Sequence, residues 1–103
     1  MANIGTFTKG PNGFTGSIKT LTLNTRVNIA LDEYKASENA PDYRVFAANN
    51  VELGAGWKRT AKNGEQREYV SVKLDDPSFV AAIYANLVQS EADENVYSLI
   101  WSR

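Results

Sequence analysis

Residues 69–75 read Tyr69-Val70-Ser71-Val72-Lys73-Leu74-Asp75. Val70, Val72 and Leu74 alternate with Tyr69, Ser71, Lys73 and Asp75, and a period of two puts alternate side chains on opposite faces of a strand. The pattern recurs outward in both directions. Val27, Ile29 and Leu31 alternate with Arg26, Asn28, Ala30 and Asp32; Tyr97, Leu99 and Trp101 alternate with Val96, Ser98 and Ile100. Phe14, Gly16 and Ile18 share one face, whereas Leu21 and Leu23 fall on the other. That reversal predicts a bulge or a sharp bend near Lys19-Thr20, because one extra residue changes the face.

Turn signals separate these runs. Lys9-Gly10-Pro11-Asn12-Gly13 closes a hairpin between residues 3–8 and 14–24, since Asn-Gly favours positive φ. Lys62-Asn63-Gly64-Glu65 is a second such turn, between 55–61 and 67–75, and Asp93-Glu94-Asn95 a third, before the last run. Residues 35–41 read as a surface loop. Short strands at this spacing predict an all-β fold, or a β-rich one with one short helix. The expected architecture is a small antiparallel barrel or sandwich forming a single domain over residues 1–103. One segment reads two ways. Asp76-Pro77-Ser78 offers an N-cap with Pro at N1, and Phe79, Val80, Ile83, Tyr84, Leu87 and Val88 follow a helical stripe. The same stretch reads as a strand with Ala81, Ile83, Ala85 and Leu87 on one face. We read it as extended, with at most one helical turn at Asp76–Phe79.

Composition excludes much chemistry. The 103 residues contain no Cys and no His, and the net charge is −1. That removes disulfides, thiolate nucleophiles, the commonest zinc ligand and the commonest general base. No apolar run approaches the roughly 20 residues of a membrane span. Met1-Ala2-Asn3-Ile4 carries neither a basic flank nor an apolar core of a secretory signal. The expectation is a cytoplasmic protein with no membrane partner.

Carboxylates are the remaining acid–base groups. Asp75 and Asp76 are adjacent, so on a strand they point to opposite faces and form no dyad; Asp76 reads as the cap of the turn opened by Pro77. Asp42 with Asp75 or Asp76 is a conceivable magnesium set, though nothing in the spacing demands it. Ser71, Ser78 and Ser102 have no His to activate them and no nucleophile elbow around them. The stretches Gly10–Gly16 and Gly54–Lys58 lack the phosphate-binding signatures. The sequence is therefore read as non-enzymatic, with no catalytic residue, no metal and no cofactor.

Aromatic and basic residues suggest binding instead. Trp57, Lys58, Arg59 and Lys62 form the one local basic cluster, and Tyr43-Arg44 and Tyr69 add to it. Together they have the composition of a face that stacks single-stranded bases on aromatics and follows phosphates with Lys and Arg. The competing reading is structural, with the aromatics in the core and Arg44 paired to Asp42 or Asp75. The partner expected is single-stranded nucleic acid, a nucleoprotein complex, or a protein. For self-association, the unguarded run Val96–Trp101 suits a central strand. Residues 26–34 are then the remaining candidate edge, so the chain is expected as a monomer or weak homodimer.

Several phrases carry a resemblance: Ile4-Gly5-Thr6-Phe7-Thr8, Ala40-Pro41-Asp42-Tyr43-Arg44-Val45-Phe46, Ser71–Phe79, Ile83-Tyr84-Ala85-Asn86 and Leu99–Arg103. Through them the chain resembles, nearly end to end, the bacterial domain-of-unknown-function 736 family. The resemblance implies a setting on conjugative plasmids or integrated mobile elements, near transfer, maintenance and anti-defence genes. It brings no catalytic residues. The family pattern carries prolines near positions 80 and 82, which would break a helix interior; here those positions are Val80 and Ala82. Two functions are expected on this basis. One is a non-enzymatic accessory protein of a mobile element that binds nucleic acid. The other is a protein-binding inhibitor or adaptor acting on a host defence or partition component.

Overall fold

Each alternating run forms a strand with its apolar side chains turned to one side. The computed structural model describes residues 2–32, 37–60 and 68–101. Its strands are β1 (Ala2–Gly10), β2 (Gly13–Lys19), β3 (Asn24–Leu31), β4 (Tyr43–Ala47), β5 (Glu52–Thr60), β6 (Glu68–Leu74), β7 (Ile83–Gln89) and β8 (Val96–Trp101). A single 3₁₀ turn, Ala48–Asn50, links β4 to β5. Neighbouring strands pair antiparallel in chain order, and β8 pairs back onto β1 from Ala2↔Trp101 to Thr8↔Val96, closing a barrel.

Closure decides the edge question. Val96–Trp101 is flanked by β7 and β1, as its apolar character requires. Residues 24–31 are flanked by β2 and β4 and offer no edge. The expected dimer edge at 26–34 is therefore corrected for residues 26–31, which are flanked on both sides; residues 33 and 34 lie outside the described residues.

The interior is the set that alternation predicts. Phe7, Ile18, Val27, Ile29, Val45, Val72, Leu74, Leu87 and Leu99 are fully buried. Gly16 faces inward opposite Phe7, and a Cβ there would run into Thr6 O and the Phe7 ring. The glycine thus makes room for the largest of the fully buried side chains.

The reversal at Lys19-Thr20 is a sharp turn rather than a bulge. Thr20 N donates to Leu23 O (2.7 Å) and Leu23 N to Thr20 Oγ1 (3.0 Å). Real bulges lie at Asn3/Gly5 against β8 and at Val45/Phe46 against β5. The ambiguous segment is extended from Ile83 onward, after one turn in which Phe79 N donates to Asp76 O (2.8 Å). Asp76 Oδ2 also accepts from Ser78 N (2.9 Å) and Ser78 Oγ (2.5 Å). These bonds hold its carboxyl below the usual range.

The two barrel ends differ. At one lie the β1–β2 and β7–β8 turns, the described part of the β3–β4 connection, the end of β5 and the start of β6, and Phe14 packs on Tyr43 (5.7 Å) and edge-on to Tyr97 (4.8 Å). At the other lie the β2–β3, β4–β5 and β6–β7 connections, with Leu21 and Val80 fully exposed. Among the described residues no helix is long and apolar enough to cross a membrane.

Candidate nucleic-acid interface

In a barrel of this kind every second residue of each strand faces outward. The register therefore assigns each residue expected at the binding face to one side of the wall. Arg44 stands opposite Ala55, which stands opposite Lys73, which stands opposite Tyr84. One step along, Trp57 faces Ser71 and Ser71 faces Asn86; one step further, Arg59 faces Tyr69. Arg44, Trp57, Arg59 and Tyr69 thus share the outer surface of β4–β6.

Tyr43 and Lys58 have the opposite parity. Tyr43 pairs with Gly56 and is buried in the core, and Lys58 pairs with Val70 at the aromatic end, its Nζ 5.8 Å from the Tyr43 ring centre. Burial first, and the neighbouring Asp42 carboxylate second, push the Tyr43 phenol above its ordinary value. Consecutive residues such as Tyr43-Arg44 or Lys58-Arg59 cannot both face outward on a strand. Lys62 lies outside the described residues.

Phe46, Lys73 and Tyr84 join the wall although they were not singled out from the sequence. The signal for Lys73 was present, since it alternates with the buried Val72 and Leu74. Tyr84 was hidden by the double reading of residues 77–89. Lys73 Nζ lies 5.9 Å from the Tyr84 ring centre and the Arg44 guanidinium 5.9 Å from that of Phe46.

Electrostatically the wall is one-sided. The outward strand positions carry Lys19, Arg26, Arg44, Arg59 and Lys73, and among the described residues only Glu52 opposes them. Glu52 is occupied: its carboxylate accepts from Arg44 Nε (3.1 Å) and twice from Arg44 Nη2 (2.8 Å each). Arg44 thus pairs with Glu52, not with Asp42 or Asp75. The other described acidic residues lie in the connections or, like Glu68, at inward-register positions near a barrel end. Among the described strand positions the four outward aromatics, Phe46, Trp57, Tyr69 and Tyr84, sit on β4–β7; the outward positions of β8, β1, β2 and β3 carry none.

Asp42 has a structural task. Its Oδ2 accepts from Lys58 N (2.8 Å), its own N donates to Gly56 O (2.9 Å), and its carbonyl accepts from Asp32 N (2.9 Å). Trp57 Nε1 donates to Asn39 O (3.1 Å), so the indole anchors the described part of the β3–β4 connection. Asp42 is at the aromatic end and Asp75 and Asp76 follow β6 at the opposite end, so the three do not converge on one site.

The pattern described as a protein of unknown function (DUF736) matches residues 3–103. The chain belongs to the DUF736 family. Neither a curated protein nor a solved structure matches it. Several phrases that carried the resemblance have structural tasks in this DUF736 barrel. Pro41-Asp42-Tyr43 clips a connection to β5 and Asp76-Pro77-Ser78 caps the β6–β7 turn.

Proposed function

We propose that this DUF736 protein binds single-stranded nucleic acid on the outer wall of β4–β7. The observation that carries the proposal is segregation. Phe46, Trp57, Tyr69 and Tyr84 share one side of the barrel with Arg44, Arg59 and Lys73, and the single acidic residue among those described there is held by Arg44. Tyr84 is exposed and the other three rings are half-buried; ring faces at a surface can stack on any base, and the cations beside them serve the phosphates between bases. The net charge of −1 is no obstacle on this view, because the described acids other than Glu52 lie off the wall. Within the mobile-element setting that the resemblance implies, the protein acts as a cytoplasmic, non-enzymatic accessory. Fluorescence anisotropy with a labelled 12-nucleotide oligomer at 50 mM salt tests this. Saturable binding that Tyr69→Ala weakens by about 1–3 kcal/mol supports it; no binding below tens of micromolar overturns it.

A second reading, a protein-binding inhibitor or adaptor of a host defence or partition component, is favoured by the exposure of Leu21, Val51 and Val80 at one barrel end. A pull-down with and without nuclease separates the two. Partners that survive nuclease and are lost in a Leu21→Asp/Val80→Asp variant favour the protein reading.

A further inference from the structure

The apolar barrel end holds two cavities. One of about 600 Å³ opens between the β2–β3 turn and the β6–β7 connection, one of about 420 Å³ between the β2–β3 turn and the start of β1, and both are lined by Thr22, Ile83 and Trp101. Sites for small molecules run from roughly 300 to 1,000 Å³. Phe79 and Tyr84 complete the walls of the larger cavity, Thr22 and Ser78 bring hydroxyls to it, that of Ser78 donating to Asp76 Oδ2, and among the described residues no charged side chain lines it. Aromatic walls with hydroxyls and no charge suit a flat, neutral group with hydrogen-bonding edges. Tyr84 is the link to the rest of the molecule. It lines this cavity and also stands on the outer wall beside Lys73, whose Nζ is 5.9 Å from its ring centre.

The geometry points to a nucleobase pocket. A strand lying along the wall with a phosphate at Lys73 has the cavity mouth one side chain away. An unstacked base turns past Tyr84 into the space between the β6–β7 connection and Trp101. This inference rests on the proposed wall and adds to it a discrete site where one base is held apart from its neighbours. It gives the fully exposed Val80, which also lines this cavity, a task at its rim.

The chain has two tryptophans, Trp57 on the wall and Trp101 in the cavity, which makes the two sites separately observable. Protein labelled with 5-fluorotryptophan gives two ¹⁹F resonances, assigned with Trp57→Phe, and is titrated with an unlabelled thymidine 12-mer. The expected result is that both resonances shift with one midpoint. A shift of the Trp57 resonance alone overturns the pocket and leaves the wall standing. If neither resonance moves and anisotropy is flat, the wall fails and the pocket with it. A second variant guards against an indirect shift. Ala81 is an exposed connection residue lining the cavity, so Ala81→Phe fills the space without touching the core. It should abolish the Trp101 shift and weaken oligomer binding about tenfold, whereas unchanged affinity overturns the inference.

Discussion

Gly54 shows how much one side chain can matter in this wall. It faces inward between Val45 and Leu74, directly after the bulge at Leu53, and a Cβ there would collide with the Lys73 carbonyl. Gly54→Ala should therefore destabilise the barrel by about 1–3 kcal/mol, as overpacking does. A lowered urea midpoint with unchanged slope would confirm it. Tyr43 makes a different residue-scale prediction. Its phenol is neutral and buried in the fold, and its raised value means that the unfolded chain ionises first as pH climbs. The contribution is fully present below the ordinary tyrosine value of about 10 and is lost as pH rises through the folded one. Tyr43→Phe should flatten that alkaline fall, read as thermal midpoint against pH from 8 to 11.

At the level of strands, alternation made the interior legible. Val70, Val72 and Leu74 face inward as read, and so do Val27, Ile29 and Leu99, because a one-residue slip would turn each set out to water. The strand Tyr43–Ala47 and its 3₁₀ link were harder to see. The link places Asn49 and Asn50 at φ 64° and 59°, and an Asn-Asn pair is a weaker written signal than Asn-Gly. The proposed binding face was legible in composition but not in parity: reading neighbours as one cluster mixed the two sides of the sheet, and only pairing across β5–β6–β7 brings Arg59, Lys73, Tyr69 and Tyr84 together. Pairing also sets the expected salt response. If Arg59 and Lys73 each neutralise one phosphate, Arg59→Ala and Lys73→Ala should each reduce the slope of log affinity against log salt by about 0.7. Lys19→Ala, from the wall without aromatics, should leave the slope unchanged. Titrations between 50 and 200 mM salt would decide.

For the molecule as a whole, closure governs association. Every described strand has two neighbours, so no ladder is open to a second copy. Light scattering over a hundredfold concentration range should return the mass of one chain throughout. A concentration-dependent dimer would require a contact through the apolar barrel end, and Val80→Asp should then abolish it. Closure also gives the barrel an outside, on which the described strands carry five basic side chains and one acidic one in a chain of near-neutral charge.

The β1–β8 ladder has a kinetic consequence. All other ladders join strands adjacent in the chain and can zip as hairpins; this one brings Ala2 to Trp101. Joining such distant segments carries the largest loop-closure entropy in the fold, so the seam forms late on the folding route. Weakening it with Thr6→Gly, at an outward position paired to Ser98, should accelerate unfolding while leaving the refolding rate nearly untouched. The converse pattern in stopped-flow chevrons would place the seam in the folding nucleus.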